Sequence, residues 1–132
     1  MRPAAAHCVI TPGSDHGYSL GELNLNWDKR NVYDFDTRIH LLIKGPGIKP
    51  GSKFEFLASN VDLAPTMLSL ASIDRAPGMD GKSFLPIMLD AAELPKAPGS
   101  VQRYAKAHAA AGVQAGWRDT HFIEYYYIGI GG

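Results

Sequence analysis

Arg38-Ile39-His40-Leu41-Leu42-Ile43-Lys44 runs almost continuously through apolar residues and stops at Gly45-Pro46-Gly47. A run of this kind predicts a strand buried on both faces, as in a parallel sheet covered by helices. Upstream, His7-Cys8-Val9-Ile10-Thr11 is short, β-branched and ended by Pro12-Gly13, which predicts another buried strand. Downstream, residues 54–58 form a short strand before a helix over residues 60–71. Asn60 or Asp62 caps that helix, Pro65 sits in its first turn, and Leu63, Met67 and Leu70 share a face. A shorter helical piece spans residues 84–89, opened by Ser83, with Pro86 in its first turn. Residues 91–116 read as a linker, extended through Pro95 and Pro98, and an Ala-rich helix over 101–111 capped by Ser100 and stopped by Gly112. Residues 117–128 form a terminal region whose aromatic run from Phe122 to Ile128 predicts a strand. Strands alternating with helices make the class α/β, with a mostly parallel sheet and flanking helices.

The 132 residues, 45 % hydrophobic and 20 % charged, describe one globular domain. Thirteen basic residues balance thirteen acidic ones, which removes the electrostatic footprint of a nucleic-acid binder. No apolar run is long enough to span a membrane, and the first seven residues lack the apolar core of a signal peptide. The lone Cys8 excludes an internal disulfide and any zinc site built of several thiolates, and reads as inert core.

The chemistry falls in the Gly-, Asp- and Asn-rich loop over residues 12–31, where residues 18–25 have room for one helical turn. It follows the carboxyl end of the strand at 7–11, the usual place of a ligand crevice in open α/β sheets. Asp15 offers a hard oxygen and His16 a nitrogen to a divalent cation, and Gly17 lets the backbone approach closely. The same tripeptide also occurs in ordinary turns. Lys29 and Arg30 lie fourteen residues further on, where an ammonium and a guanidinium suit an anionic ester, although such pairs are commonly solvated. A unit charge about 4 Å from an anion is worth about 4 kcal/mol at an effective dielectric near 20. Asp34 and Arg38, four apart, are spaced to brace the loop across one helical turn. His7, His40, His108 and His121 show no ligand-like spacing, and Tyr125 to Tyr127 read as core aromatics.

In order along the chain, Ser14-Asp15-His16-Gly17-Tyr18-Ser19-Leu20-Gly21-Glu22, Trp27-Asp28-Lys29-Arg30-Asn31-Val32-Tyr33, Leu42-Ile43-Lys44-Gly45-Pro46-Gly47-Ile48, Asn60-Val61-Asp62-Leu63-Ala64-Pro65-Thr66 and Met79-Asp80-Gly81-Lys82-Ser83 resemble the sulfatase family. The match covers about residues 8–90, and Lys44-Gly45-Pro46-Gly47-Ile48-Lys49-Pro50 looks most like the N-acetylglucosamine-6-sulfatase branch. Trp117-Arg118-Asp119 and Phe122-Ile123-Glu124-Tyr125 are similar to the segment that follows there.

The resemblance implies a partial alkaline-phosphatase-like α/β fold whose amino-terminal half is missing from these residues. It implies hydrolysis of sulfate esters, on a sulfated sugar such as N-acetylglucosamine 6-sulfate in glycosaminoglycans. Asp15 and His16 are then metal ligands to Ca²⁺ or another divalent cation. Lys29 is a catalytic, sulfate-binding residue with Arg30 beside it, and the Asn60 to Thr66 block is scaffold. The formylglycine nucleophile of the family arises from Cys or Ser in a C-x-P-x-R type motif. Cys8 precedes Val9-Ile10-Thr11 and does not fit, so the isolated chain is expected to be inactive. Its partners are then the sulfated carbohydrate and either the missing amino-terminal segment or another polypeptide. The resemblance implies a lysosomal or secreted setting. Two departures stand out: Pro12-Gly13 lengthens the approach to Asp15, and Ser19 stands where many members have His. A non-catalytic binding module and a phosphoesterase or phosphonate hydrolase of the same superfamily are the alternatives.

Overall fold

A computed structural model describes residues 13–97, 99–108 and 117–126. They fall into two units, one drawn from Lys44–Thr120 and the other from Thr11–Ile43 with His121–Gly132. Four α-helices occur among the described residues: α1 Asp34–Thr37, α2 Leu63–Leu70, α3 Leu85–Met88 and α4 Gly99–His108.

In the larger unit the Gly45-Pro46-Gly47 stop is a turn, with the Ile48 N–H donating to Gly45 O at 3.3 Å. Gly47 takes a φ of +82°, and a Cβ there would come 2.8 Å from Leu89 Cδ2. Ile48 then bridges Leu89 antiparallel, and the Asp90 N–H donates to Gly47 O at 2.8 Å. Pro86 lies in the first turn of α3, where its missing N–H costs nothing. The core gathers Phe84, Leu85, Ile87 and Met88 of this segment with Ile48, Ala97, Val101 and Ala105. Val101 and Ala105 are one helical turn apart on α4, which packs against α2.

The entry to α2 departs from expectation in an informative way. The turn Asn60–Asp62 is opened by Ser59 in a capping box, and Asp62, at its third position, reaches back to accept the Ser59 N–H at 2.9 Å. The face of α2 that turns inward is Pro65, Thr66 and Ser69, while Met67, expected inside, is 51 % exposed. Thr66 explains the rotation: its Oγ1 donates to Asp62 O at 2.7 Å and accepts the Phe84 N–H at 3.1 Å, so the polar face satisfies the buried start of α3. Behind it, Phe56 meets Phe84 and Trp117 at ring-centre distances of 5.7 Å each, and Trp117 Nε1 donates to Leu57 O at 2.8 Å.

No strand forms among the described residues, so the mostly parallel sheet is not observed there. Residues 38–44, 54–58 and 122–126 carry strand-like composition without a ladder. A strand exists only through its neighbour's hydrogen bonds, and the partner found for residues 38–43 is a single antiparallel bridge from Leu41 to Gly13. Leu42 is accordingly exposed, and so are Phe122, Tyr125 and Tyr126, which do not fill a core. The Tyr126 hydroxyl bonds the Glu124 carboxylate, which pushes its pKa up. Residues 94–96 form a 3₁₀ turn instead of an extended linker, and α4 starts at Gly99, before Ser100. The strand at 7–11 with Cys8, Pro98, residues 109–112 and residues 127–128 lie outside the described residues.

Candidate functional site

In the smaller unit the loop that follows Gly13 is held by backbone pairing along its first arm. The Gly17 N–H donates to Asp36 O at 2.7 Å, the Tyr18 N–H to Phe35 O at 2.9 Å and the Ser19 N–H to Asp28 O at 2.8 Å. Gly17 is required by this approach, since a Cβ on it would stand 1.9 Å from Phe35 O. Ser14 Oγ donates to His16 O at 2.6 Å and folds the residues before the contact.

The second arm is organised by two carboxylates. Asp28 Oδ1 accepts the Lys29 N–H at 2.8 Å, and its Oδ2 pairs with Arg30 Nε at 2.5 Å. Asp36, on α1, accepts the Asn31 N–H on Oδ2 at 2.9 Å. Its Oδ1 is buried with no hydrogen-bond partner among the described residues. Asp36 therefore touches both arms, through its carbonyl at Gly17 and its carboxylate at Asn31. The brace expected from an Asp34–Arg38 side-chain pair is taken by Asp36 instead, and Arg38 gives only its backbone N–H to Asp34 O at 2.7 Å.

Lys29 Nζ lies 2.6 Å from His16 Nε2, His16 Nδ1 lies 2.5 Å from Gly17 O, and Asp15 Oδ2 stands 3.5 Å from His16 Nε2. An ammonium only donates and a carbonyl only accepts, so the two imidazole contacts are satisfied together by one neutral tautomer, with its proton on Nδ1. The result is a cation donating into a neutral imidazole, beside a carboxylate whose side chain is 84 % exposed. Asp15, His16 and Lys29 are thus gathered in one place. Arg30 follows Lys29 but turns its Nε to Asp28.

A carboxylate oxygen and an imidazole nitrogen so close together suit a shared divalent cation as two ligands, but Ca²⁺ takes six to eight oxygen ligands. No group of three or more His, Cys, Asp or Glu that could hold a metal occurs among the described residues. His16 Nε2 is also engaged by Lys29, so a metal taking that nitrogen displaces the ammonium.

Glu22 closes the tip of the loop. In the 3₁₀ turn Glu22–Asn24 its Oε2 accepts the Leu20 N–H at 2.6 Å and faces Ser19 Oγ at 3.5 Å. Backbone amide donation, from its own N–H and then from Leu20, holds its pKa below the usual glutamate value, against a small opposing push from burial. A depressed folded-state pKa makes this contribution fully present above the ordinary glutamate value and lost as pH falls through the lower folded one. The Leu20 amide is expected to exchange faster with solvent, relative to unfolded reference rates, as the pH drops through that window. In Glu22→Gln that added acid sensitivity should vanish, which amide exchange by NMR checks.

Sequence reasoning missed Glu22, Asp28 and Asp36 as organisers. Asp28 was the most readable, since Asp commonly accepts amides of the residues that follow it. Asp36 had no local signal, because its partners lie five and nineteen residues away.

A family model described as N-sulphoglucosamine sulphohydrolase, C-terminal, matches residues 21–104, a span that includes Lys29 and Arg30 but not Asp15 and His16. The chain is 46 % identical over 82 residues to N-acetylglucosamine-6-sulfatase of Homo sapiens, covering 61 % of this chain and 15 % of that protein. It is 36 % identical over 111 residues to a putative extracellular sulfatase Sulf-1 homolog of Caenorhabditis elegans, covering 84 % of this chain and 14 % of that one. It is 42 % identical over 78 residues to choline-sulfatase of Rhizobium meliloti (strain 1021), covering 57 % and 15 %. The matched region thus spans about 15 % of the length of these relatives. No solved structure matches.

Proposed function

The chain belongs to the sulfatase family, and on that premise we propose that residues 13–31 supply the anion-holding part of a site that hydrolyses sulfate esters of carbohydrates. The observation that supports this reading is the convergence of Lys29, His16 and Asp15, drawn from two arms of one loop.

Lys29 Nζ donates to a sulfate oxygen in place of His16 Nε2, and Arg30 reaches the sulfate only by exchanging its Asp28 pairing for it. An ammonium already aimed by a hydrogen bond loses little on exchanging one acceptor for another, which is the advantage of a preorganised donor. As the ester S–O bond breaks, its electron pair leaves with the alcohol oxygen, and the Lys29 ammonium holds the anionic sulfuryl oxygens in position throughout. Asp15 and His16 would hold a divalent cation as two of its ligands, and such a cation would supply Lewis-acid polarisation of a sulfuryl oxygen. These 132 residues contain no C-x-P-x-R or S-x-P-x-R motif. The nucleophile therefore comes from other sequence, and the purified 132-residue chain is expected to show no turnover of sulfate esters. An extracellular setting is supported by the name of the Sulf-1 relative.

Titration of the 132-residue chain with inorganic sulfate, followed by amide and lysine side-chain NMR, tests the anion site. Shifts centred on residues 15–18 and 28–31 are expected. Lys29→Ala should weaken binding about ten- to hundredfold, the worth of one hydrogen bond to a charged group. Sulfate binding that is unchanged in Lys29→Ala would sink the assignment.

A further inference from the structure

We propose that the loop at residues 18–29 presents a carbohydrate-recognition face, with Trp27 as the platform for the sugar ring whose sulfate Lys29 holds. This rests on the reading of Lys29 given above and extends it from the anion to the rest of the substrate.

Ser19 and Asp28 pair in an antiparallel bridge between the two arms. In paired extended backbone, alternate residues point to opposite sides. Ser19 is fully buried and Asp28 is partly buried, whereas Tyr18, Leu20, Trp27 and Lys29, which flank them on the two arms, are all exposed. With Ser19 inward and Asp28 half-buried beside it, the alternation puts the four exposed residues on one side of the paired arms. It carries two aromatic rings, one aliphatic side chain and one ammonium.

Trp27 is open yet supported. It is 74 % exposed, but its pyrrole edge is seated against Gly21, where a Cβ would lie 3.1 Å from Nε1 and 3.5 Å from Cδ1. Gly21 has a φ of +105°, so the glycine is required both by the backbone and by the indole. The next turn holds two non-glycine residues in the left-handed region, Leu23 at φ 56° and Asn24 at φ 60°. Strain of this kind persists only where the surroundings enforce it and concentrates at functional sites. Here the Leu20 and Leu25 amides, both bonded to Glu22, enforce it.

The face matches the chemistry of a sulfated pyranose. Such a ring has an apolar C–H side, which covers a flat indole, and a hydroxyl rim, which stays in water. Two residues of extended chain span about 7 Å, so a ring lying on Trp27 can carry its ester group to the Lys29 ammonium. Sulfate alone would use the ammonium and leave the indole untouched.

The test uses the 132-residue chain and three probes: inorganic sulfate, N-acetylglucosamine and N-acetylglucosamine 6-sulfate. The indole N–H signal of Trp27, assigned against Trp27→Phe, is expected to shift with both sugars and not with sulfate. Trp27→Ala should weaken N-acetylglucosamine 6-sulfate about tenfold, leave sulfate binding and the melting temperature unchanged, and be substantially rescued by Trp27→Phe. Two results would overturn the proposal: sugars that leave the Trp27 signal unmoved while sulfate still binds through Lys29, or a Trp27→Ala chain that loses stability instead of sugar affinity. Failure of the underlying anion reading looks different, as loss of the Lys29 dependence of sulfate binding with the Trp27 response to N-acetylglucosamine intact.

Discussion

Asp62→Ala should cost the larger unit about 3–5 kcal/mol, the usual loss when one member of a buried ion pair is removed. Asp62 is 0 % exposed and Arg118 only 16 %, and they meet at 2.6 Å. The same carboxylate accepts the Lys82 N–H at 2.8 Å and the Ser59 N–H at 2.9 Å. Truncation therefore strands a largely buried guanidinium and two amide donors at once, at the junction of α2 with residues 82–84 and 117–118. A loss of this size is a large fraction of the stability of any domain, so the urea midpoint by circular dichroism should fall steeply. The double variant Asp62→Leu/Arg118→Met removes both charges and is expected to recover much of the loss, since a matched apolar pair does not strand a charge. If Asp62→Ala moves the midpoint no more than an exposed substitution such as Asp74→Ala, the pair is not a structural keystone.

Gly17→Ala is expected to be at least as damaging to the smaller unit. The added methyl would sit 1.9 Å from Phe35 O and 2.8 Å from Phe35 C, both of them backbone atoms that no rotamer change can move. The arm must swing away, and the Gly17 to Asp36 and Tyr18 to Phe35 hydrogen bonds go with it. Overpacking against a fixed neighbour costs at least about 3 kcal/mol at the upper end of its range. The functional consequence is larger than the energetic one, because His16 precedes this contact and Lys29, on the second arm, is registered against the first through the Ser19 N–H to Asp28 O bond. Sulfate binding by NMR should be abolished in Gly17→Ala. Retention of both sulfate binding and the hydrogen bonds to Phe35 and Asp36 would show that the two segments do not meet as described.

The contrast between these two sites explains why one was readable and the other was not. Gly17 follows a candidate ligand pair, and a glycine in that position already signals close backbone approach. What it approaches, the carbonyl of Phe35, is eighteen residues away and carries no mark in the sequence. Asp62 reads locally as a helix cap, which it is in part. Its decisive partner Arg118 is 56 residues downstream, beyond the reach of any local pattern. Trp27 raised no separate signal, because exposure is a property of packing and not of residue type.

Short-range physics was carried by the residues themselves: the turn at Gly45-Pro46-Gly47, proline in the first turn of α3, helices expected over residues 60–71 and 101–111 and found over 63–70 and 99–108, and the chemistry of Asp15, His16, Lys29 and Arg30 within one loop. The motif blocks were sufficient for the sulfatase family, whose membership implies an alkaline-phosphatase-like α/β class. Tertiary structure alone decided the rest. It chose which face of α2 turns inward, put Asp36 in place of an Asp34–Arg38 brace, and left residues 38–44 and 122–126 without a sheet. The physical reason is common to all three. Burial, ion pairing and strand pairing are relations between distant segments, so a sequence states a residue's capacity for them while only the packed chain supplies the partner.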